Sequence, residues 1–265
     1  MKVGIQLPNY TRPLSDFVLE RLRALQPQVL RAFHYVTAEQ LQQVKDAVGT
    51  PTLIISHPLT GEIDPPAWAQ ELIGAVQLAQ GLGFEVWLAP VNEPNHQDGP
   101  YADPASWPRL IAAYGALLAL LWVNLPDVPL ISPNLAVMQN DLLMAAQLRP
   151  LFQRHDKIGS NSYWQLYNNL STDWGMRITQ FRTLFPDKPF VVLEMGDATP
   201  DRTSDFRTDR IAGTLRAMND LGYVEAISIF ILDYDEAAPQ TWPDFVYVPE
   251  DLAMIRSALS LNSSP

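Results

Sequence analysis

Hydrophobic and polar positions follow two alternating periods along this chain. Short runs of apolar and β-branched residues are separated by longer segments whose apolar residues recur every three to four positions, as in amphipathic helices. The eight predicted strands lie at about 2–7, 28–33, 52–56, 84–91, 128–132, 157–162, 189–194 and 225–231. A predicted helix follows each strand, at about 14–25, 38–48, 66–82, 105–123, 139–154, 172–185, 205–221 and 250–260.

Local signals mark the ends of several predicted helices. The run Thr37-Ala-Glu-Gln40 is typical of a capping box, in which a threonine and a glutamine three residues later satisfy backbone N–H groups at a helix start. Gly49, Gly83 and Gly222 stand just past predicted helices, where glycine commonly ends a helix in a left-handed conformation. These signals support the alternation of strand and helix.

Eight strand–helix units in 265 residues average about 33 residues each, the repeat of an ordinary (β/α)₈ barrel. We therefore predict an α/β fold, a (β/α)₈ TIM barrel, as a single catalytic domain over residues 1–260, followed by a frayed tail at 261–265. A doubly wound open sheet alternates in the same way, but it usually carries a glycine-rich turn after the first strand. The sequence there is PNYTRP.

Composition narrows the classes of partner. A net charge of −11 opposes binding to a nucleic-acid backbone or an anionic membrane surface, so we expect neither as a partner. The chain has no cysteine, which excludes disulfides and thiolate zinc ligands. We also expect no membrane span, since no apolar run approaches about 20 residues. The N-terminal MKVGIQLPNY lacks a secretory signal pattern, which leaves both a cytoplasmic and a secreted location open.

Two glutamates follow apolar runs directly. Glu93 lies in VWLAPVNEPN after the fourth predicted strand, and Glu194 lies in PFVVLEMGDA at the end of the seventh. A charged side chain is costly to place beside a buried strand. In a barrel, however, the C-terminal ends of the strands form the active site. We therefore predict that Glu93 and Glu194 are catalytic.

The sequence Asn92-Glu93-Pro94 together with Glu194 resembles glycoside hydrolase clan A, the retaining (β/α)₈ glycosidases. The compact length is similar to that of the smaller β-1,3-glucanase-like members. The resemblance implies that Glu194 is the nucleophile of a double displacement and Glu93 the acid/base. It also implies that Asn92 contacts a sugar hydroxyl. The two carboxylates of such a site lie roughly 5–5.5 Å apart.

Three further positions match the clan pattern in whole or in part. Arg31, inside the second predicted strand, matches an arginine beneath the nucleophile, and a buried guanidinium needs a carboxylate partner. Tyr163 matches a tyrosine near the end of the sixth strand, and Asn161 stands where the clan has histidine. The resemblance implies that these three residues bind substrate or hold the nucleophile.

Aromatic and histidine residues complete the predicted substrate site. Trp164 follows the sixth predicted strand, and indole stacks well on the apolar face of a sugar. His57 and, more weakly, His34 sit near strand ends where clan members often place a histidine. The eighth predicted strand lacks the tryptophan that commonly lies under the sugar. Its substitutes are expected among Phe230, Tyr234 and Trp242.

Two other classes of protein remain open. A metal-dependent barrel would use the ligands His34, His57, Glu93, Glu194 and Asp197. No His-x-His follows the first strand and the chain has four histidines, so we expect no metal and no cofactor. A catalytically silent carbohydrate-binding barrel would lose a carboxylate, whereas both are present.

The substrate is less well defined than the reaction. Short loops favour an open groove and an endo-acting monomer on a β-linked polysaccharide. A β-1,3-glucan, mannan, xylan and a bacterial-envelope glycan all fit the same residues.

Overall fold

A computed structural model describes residues 1–136, 140–164, 177–197, 204–230 and 249–260. Within these ranges, strands and helices alternate in chain order except between the fourth and fifth strands, where two helices follow one another. The strands are β1 (Lys2–Gln6), β2 (Val29–Phe33), β3 (Thr52–Ser56), β4 (Val86–Ala89), β5 (Ile158–Trp164), β6 (Phe190–Asp197) and β7 (Val224–Ile229). The helices are α1 (Asp16–Leu25), α2 (Ala38–Val48), α3 (Pro65–Gly81), α4 (Trp107–Asn124), α5 (Asp141–Phe152), α6 (Ile178–Leu184), α7 (Ser204–Asp220) and α8 (Pro249–Ser260).

The capping box and the glycines predicted at helix ends are found at the predicted positions. Thr37 accepts a hydrogen bond from the Gln40 backbone at 3.2 Å, and the Gln40 side chain accepts one from the Thr37 N–H at 3.0 Å, which confirms the capping box of α2. Gly49 follows α2 with φ 81°, and Gly83 and Gly222 also have positive φ after their helices. A side chain would be strained in that left-handed region.

All seven strands pair in parallel in the order β4-β3-β2-β1-β7-β6-β5. A large apolar core lies between the sheet and the helices and includes Leu30, Leu53 and Val192. A second, smaller core joins strands that are far apart in the sheet order, since Val29 and Ile54 cluster with Val191. The sheet is therefore curled, with this second core on its inner face.

The fifth predicted strand, 128–132, is not a strand. Residues 129–134, called here the bridging segment, instead make isolated parallel bridges, Leu88 with Leu130, Asn92 with Asn134 and Ile131 with Lys157. Proline has no N–H, and Pro129 and Pro133 interrupt the donors that a regular ladder needs. The bridging segment therefore contacts residues at or beside β4 and β5, the two edges of the sheet. The predicted eighth strand is β7.

One helical stretch has the length and apolar composition of a membrane span. Among the described residues, Pro104–Asn124 is long and apolar enough by length and composition to cross a bilayer, although Arg109 interrupts its apolar run, so the absence of a membrane span stays a prediction. Core helices of globular proteins satisfy the same criterion. The face of α4 that carries Trp107, Tyr114 and Leu121 is buried in the core.

The tail at 261–265 lies outside the described residues, and the limits of the catalytic domain stay a prediction.

Candidate active site

Arg31 is the fully buried cation at the centre of the curled sheet. It lies in the middle of β2, and its side chain is 0% exposed. Its guanidinium donates to Glu194, to Gln6 at 2.6 Å, to Asn92 at 2.6 Å and to Ser56 at 3.2 Å. A buried charge is tolerated only when it is paired and hydrogen-bonded. These four acceptors come from β1, β3, β6 and the loop after β4, so Arg31 joins four parts of the inner face.

A bulge in β6 turns Glu194 toward Arg31. Along the β5–β6 pair, Ser160 is opposite Val192 but the next residue, Asn161, is opposite Glu194, so β6 carries one extra residue. Leu193 packs in the inner core, and Glu194 also faces inward. Consecutive strand residues normally face opposite sides, and a bulge re-aims a side chain by breaking that rule. The bulge therefore places an inner-core leucine and a carboxylate side by side.

The second oxygen of Glu194 is held by β5. It accepts a hydrogen bond from the Tyr163 hydroxyl at 2.6 Å and another from the Asn161 amide at 3.2 Å. Burial, followed by the negative charges of Glu194 and Glu93, raises the pKa of Tyr163 well above its ordinary value, so the hydroxyl keeps its proton. Arg31 therefore binds one oxygen of Glu194, and two further donors bind the other.

Glu93 lies in the loop after β4, four residues beyond Ala89, in a left-handed conformation with φ 45°. Such a conformation costs a non-glycine residue on the order of 1–3 kcal/mol and persists only where the surroundings hold it. The Glu93 N–H donates to the Asn134 carbonyl at 2.9 Å, and its carboxylate accepts from Asn161 at 2.6 Å. The bridging segment and β5 therefore fix the backbone and side chain of Glu93.

The two carboxylates share one donor. Asn161 Nδ2 is 2.6 Å from Glu93 Oε1 and 3.2 Å from Glu194 Oε2. The sum of these two distances is the largest possible separation of the two oxygens. It is shorter than the separation of the carboxyl groups in inverting glycosidases, which begins at roughly 6.5 Å. The structure thus brings together the two glutamates that are separated by a hundred positions in the sequence.

The environments of the two carboxyl groups differ. Burial and then the negative charge of Glu194 raise the pKa of Glu93 to about 8, against smaller opposing effects of Arg31 and the Asn161 hydrogen bond. Two carboxylates this close do not both ionise readily, because each disfavours the charge on the other. Because its pKa is raised, Glu93 keeps its proton at neutral pH.

Sequence reasoning missed several polar residues of this network. Gln6 and Ser56 bind Arg31, and Asn134 donates to Asn92 at 2.7 Å and to Asn161 at 2.8 Å. Each missed residue ends or closely follows a predicted strand, namely the first, third and fifth. Position at the C-terminal ends of the strands was thus the available signal.

His57 lies beside the site but points elsewhere. Its ring stacks on Trp68 at 3.6 Å, and its two nitrogens lie 2.8 Å from the Pro58 carbonyl and 2.8 Å from Glu71. Within the described residues, its side chain makes no hydrogen bond to Glu93 or to Glu194. Its backbone carbonyl accepts from the Asn92 N–H at 3.0 Å, which supports the loop that carries Glu93.

The predicted metal ligands do not form one cluster. The two histidines lie beside Glu71, whereas the two glutamates lie beside Arg31 and Asn161. His34, His57 and Glu71 have ligand atoms within 4.8 Å of one another, but the two imidazole rings are stacked 4.1 Å apart and within 10° of parallel. An imidazole binds a metal ion in the plane of its ring, and one ion cannot lie in both planes. Burial and the neighbouring His57 lower the pKa of His34 to about 4. Glu93 and Glu194 meet Arg31 and Asn161 instead.

Part of the predicted aromatic site can be located. Phe230, just after β7, meets the Tyr163 ring edge-on at 5.7 Å. Trp164 ends β5, but its side chain lies outside the described part of the chain, as do the Asp197 side chain and all of Tyr234 and Trp242.

The fold beneath this site is shared with glycoside hydrolases of known structure. A GH128 (subgroup II) endo-β-1,3-glucanase from Sorangium cellulosum matches with a TM-score of 0.64 at 15% identity, over 97% of this chain and 98% of that one. A GH128 (subgroup I) endo-β-1,3-glucanase from Amycolatopsis mediterranei, in complex with laminaritriose, matches with a TM-score of 0.59 at 14% identity, over 97% and 99%. The resemblance to clan A is thus confirmed at the level of the fold.

A larger enzyme contains the same fold as one part. A Bacteroides uniformis β-glucuronidase matches with a TM-score of 0.63 at 15% identity, over 86% of this chain and 30% of that one. Searches with protein-family models and among curated proteins found no match.

The raised pKa of Glu93 predicts how stability depends on pH. Folded Glu93 keeps its proton up to about pH 8, whereas unfolded glutamate loses it near pH 4.3. Between these values the folded state binds more protons, so the contribution of Glu93 to the free energy of unfolding falls as pH rises. Glu93→Gln cannot titrate. We expect its free energy of unfolding, relative to the unsubstituted protein, to increase between about pH 5 and pH 8.

Urea denaturation at a series of pH values measures this difference. Glu20→Gln, at an exposed position on α1, is the control and should show no such trend. Stability curves of Glu93→Gln and the unsubstituted protein that run parallel across this range would contradict the assigned protonation.

Proposed function

We propose that this protein is a retaining glycoside hydrolase that cuts a β-1,3-glucan internally. The observation that carries the proposal is the single Asn161 amide bonded to both Glu93 and Glu194. This spacing fits two carboxylates that act on one glycosidic bond, with no room between them for the attacking water of an inverting enzyme. We further propose a closed (β/α)₈ barrel, with the bridging segment in place of the fifth strand.

The proposed reaction has two steps. The Glu194 carboxylate attacks the anomeric carbon while the bond to the leaving oxygen breaks, and Glu93 donates its proton to that oxygen. Glu93, now ionised, takes a proton from water, which attacks the same carbon and releases Glu194. Glu93 is protonated at neutral pH and Glu194 is surrounded by donors, which suits these roles.

Neighbouring residues have supporting roles in this proposal. Asn92 Oδ1 is taken up by Arg31 and Asn134, so its amide nitrogen is the atom that would donate to a sugar hydroxyl. Tyr163 and Arg31 hold the nucleophile, and Trp164 stays a candidate for stacking on the sugar. The His57 ring is occupied by Glu71 and Pro58, so we propose that His57 acts through its carbonyl on Asn92.

The choice of substrate draws on the structural neighbours. Two of them are endo-β-1,3-glucanases, one of which was crystallised with laminaritriose. A neutral glucan also suits a chain with a net charge of −11. We propose that the protein acts as a monomer without a cofactor.

Hydrolysis of a polysaccharide panel tests the substrate. We expect soluble β-1,3-glucan to yield short oligosaccharides, with slower or no release from mannan, xylan and β-1,4-glucan. The first product observed by NMR should keep the β configuration. Inverted product would contradict the mechanism. Binding without cleavage would indicate a carbohydrate-binding barrel instead.

The two glutamates should respond differently to the leaving group. Glu194→Ala removes the nucleophile and should abolish turnover of every substrate. Glu93→Ala should lose about 10²–10⁴-fold on polysaccharide, but much less in the first step with aryl glycosides whose leaving group needs no proton. Burst kinetics and mass spectrometry of a trapped glycosyl-enzyme measure that step. Equal losses for both variants, whatever the leaving group, would count against these roles.

Arg31 should control the acidic limb of the pH profile. Arg31→Met removes the positive charge that favours ionised Glu194, so the acidic limb of kcat/KM should move to higher pH. Arg31→Lys restores the charge without the forked hydrogen bonds and should recover the profile in part.

Stability should fall in Arg31→Met as well, because Glu194 is left buried without its cation. Arg109→Met, at an exposed arginine paired with Glu62, is the matched control and should change neither quantity. An unchanged limb in Arg31→Met would exclude the proposed pairing role.

A further inference from the structure

We propose that Asn134 is a positioning residue, whose side-chain amide sets the orientation of Asn161 and Asn92 and thereby presents N–H donors to the catalytic pair. This inference rests on the proposed function for its kinetic consequences. Its structural content, the orientation of two amides, stands on the contacts alone.

Asn134 contacts the site at three points. Its Nδ2 donates to Asn92 Oδ1 at 2.7 Å and to Asn161 Oδ1 at 2.8 Å. Its backbone carbonyl accepts from the Glu93 N–H at 2.9 Å. The residue is 0% exposed and lies on the bridging segment. A substitution removes the two amide contacts but keeps the carbonyl, so it tests the amide separately from the backbone of Glu93.

The two amide contacts determine which way Asn161 faces. An amide has one accepting end and one donating end, and only the donating end can bind a carboxylate. Because Asn134 donates to Asn161 Oδ1, the Nδ2 of Asn161 is turned toward Glu93 and Glu194. A rotated Asn161 would lose the contact with Asn134 and would point its oxygen at the acceptor oxygen of Glu194.

Asn134 fixes the orientation of the Asn92 amide in the same way. Its Oδ1 accepts from both Arg31 and Asn134, which leaves its nitrogen on the other side. Both hydrogens of Asn134 Nδ2 are thus used on neighbouring oxygens. A donor with two hydrogens is required at this position, and neither a carboxylate nor an apolar side chain can supply one.

The orientation of Asn134 is maintained at a cost. Its own Oδ1 is buried and has no hydrogen-bond partner within the described residues. A buried acceptor without a partner lowers the stability of the folded state. The amide therefore adopts the orientation that suits its neighbours on both sides.

Loss of the Asn134 amide should change the pKa of Glu93, the proposed acid/base. The Asn161 hydrogen bond opposes the rise in the pKa of Glu93, so a displaced Asn161 should allow that pKa to rise further. The charged and titratable groups acting on Glu93 are Glu194 from β6, Arg31 from β2 and Tyr163 from β5. None of these is altered in an Asn134 variant.

The test compares Asn134→Leu and Asn134→Ala, neither of which adds a charge to the site, with the unsubstituted protein. We expect kcat on β-1,3-glucan to fall about 10- to 100-fold, because the acid/base is displaced by a fraction of an ångström. The basic limb of kcat/KM should move up by on the order of half to one pH unit. Ser132→Ala removes a buried hydrogen bond of the same bridging segment, to the Gly159 N–H, and should leave the limb unmoved.

A double-mutant cycle shows whether Asn134 acts through Asn161. Asn134→Leu should add no further shift in an Asn161→Leu background, because the intermediary is already lost. Independent, additive shifts would overturn the proposal, and so would an unmoved limb in folded Asn134→Leu.

A titration of the Glu93 carboxyl by ¹³C NMR separates this proposal from the proposed function. A higher titration point in Asn134→Leu supports the positioning role even if the protein cleaves no glycan. An unchanged titration overturns it even if the protein is an active glucanase.

Discussion

A buried guanidinium is the constraint on which this structure depends. Arg31 is surrounded by acceptors from β1, β3, β6 and the loop after β4, and none of these can move far without breaking a hydrogen bond to a buried charge. The inner face of the sheet is apolar below this level, around Val29 and Ile54. The polar network is therefore confined to the C-terminal ends of the strands, where a barrel keeps its active site.

The network also explains how two similar side chains acquire different surroundings. Glu194 receives the cation and two further donors, whereas Glu93 shares a single amide and faces the charge of Glu194. This contrast between the partners of the two residues does not follow from the residue type, since both are glutamates. It follows from a bulge in β6 and from a left-handed residue after β4, both held by neighbouring strands.

Local patterns predicted most of the architecture. The eight helices and seven of the eight strands lie close to their predicted positions, because periodicity, caps and glycine signals act over a few residues. The fifth predicted strand was wrong because Pro129 and Pro133, which are visible in the sequence, lack the N–H donors of a ladder, and the apolar pattern was given more weight than these prolines. Glu93, Glu194 and Arg31 were recognisable because a charge beside a buried strand demands a partner.

The amino-acid sequence by itself determined the order of strands and helices and the polar residues that follow the strands. Tertiary structure decided which of those residues meet. It placed Asn134 between Asn92 and Asn161, and it turned the His57 ring toward Glu71. Such choices depend on strand register, a bulge and the direction of an amide, which are set by contacts between segments distant in the chain. No local pattern carries that information.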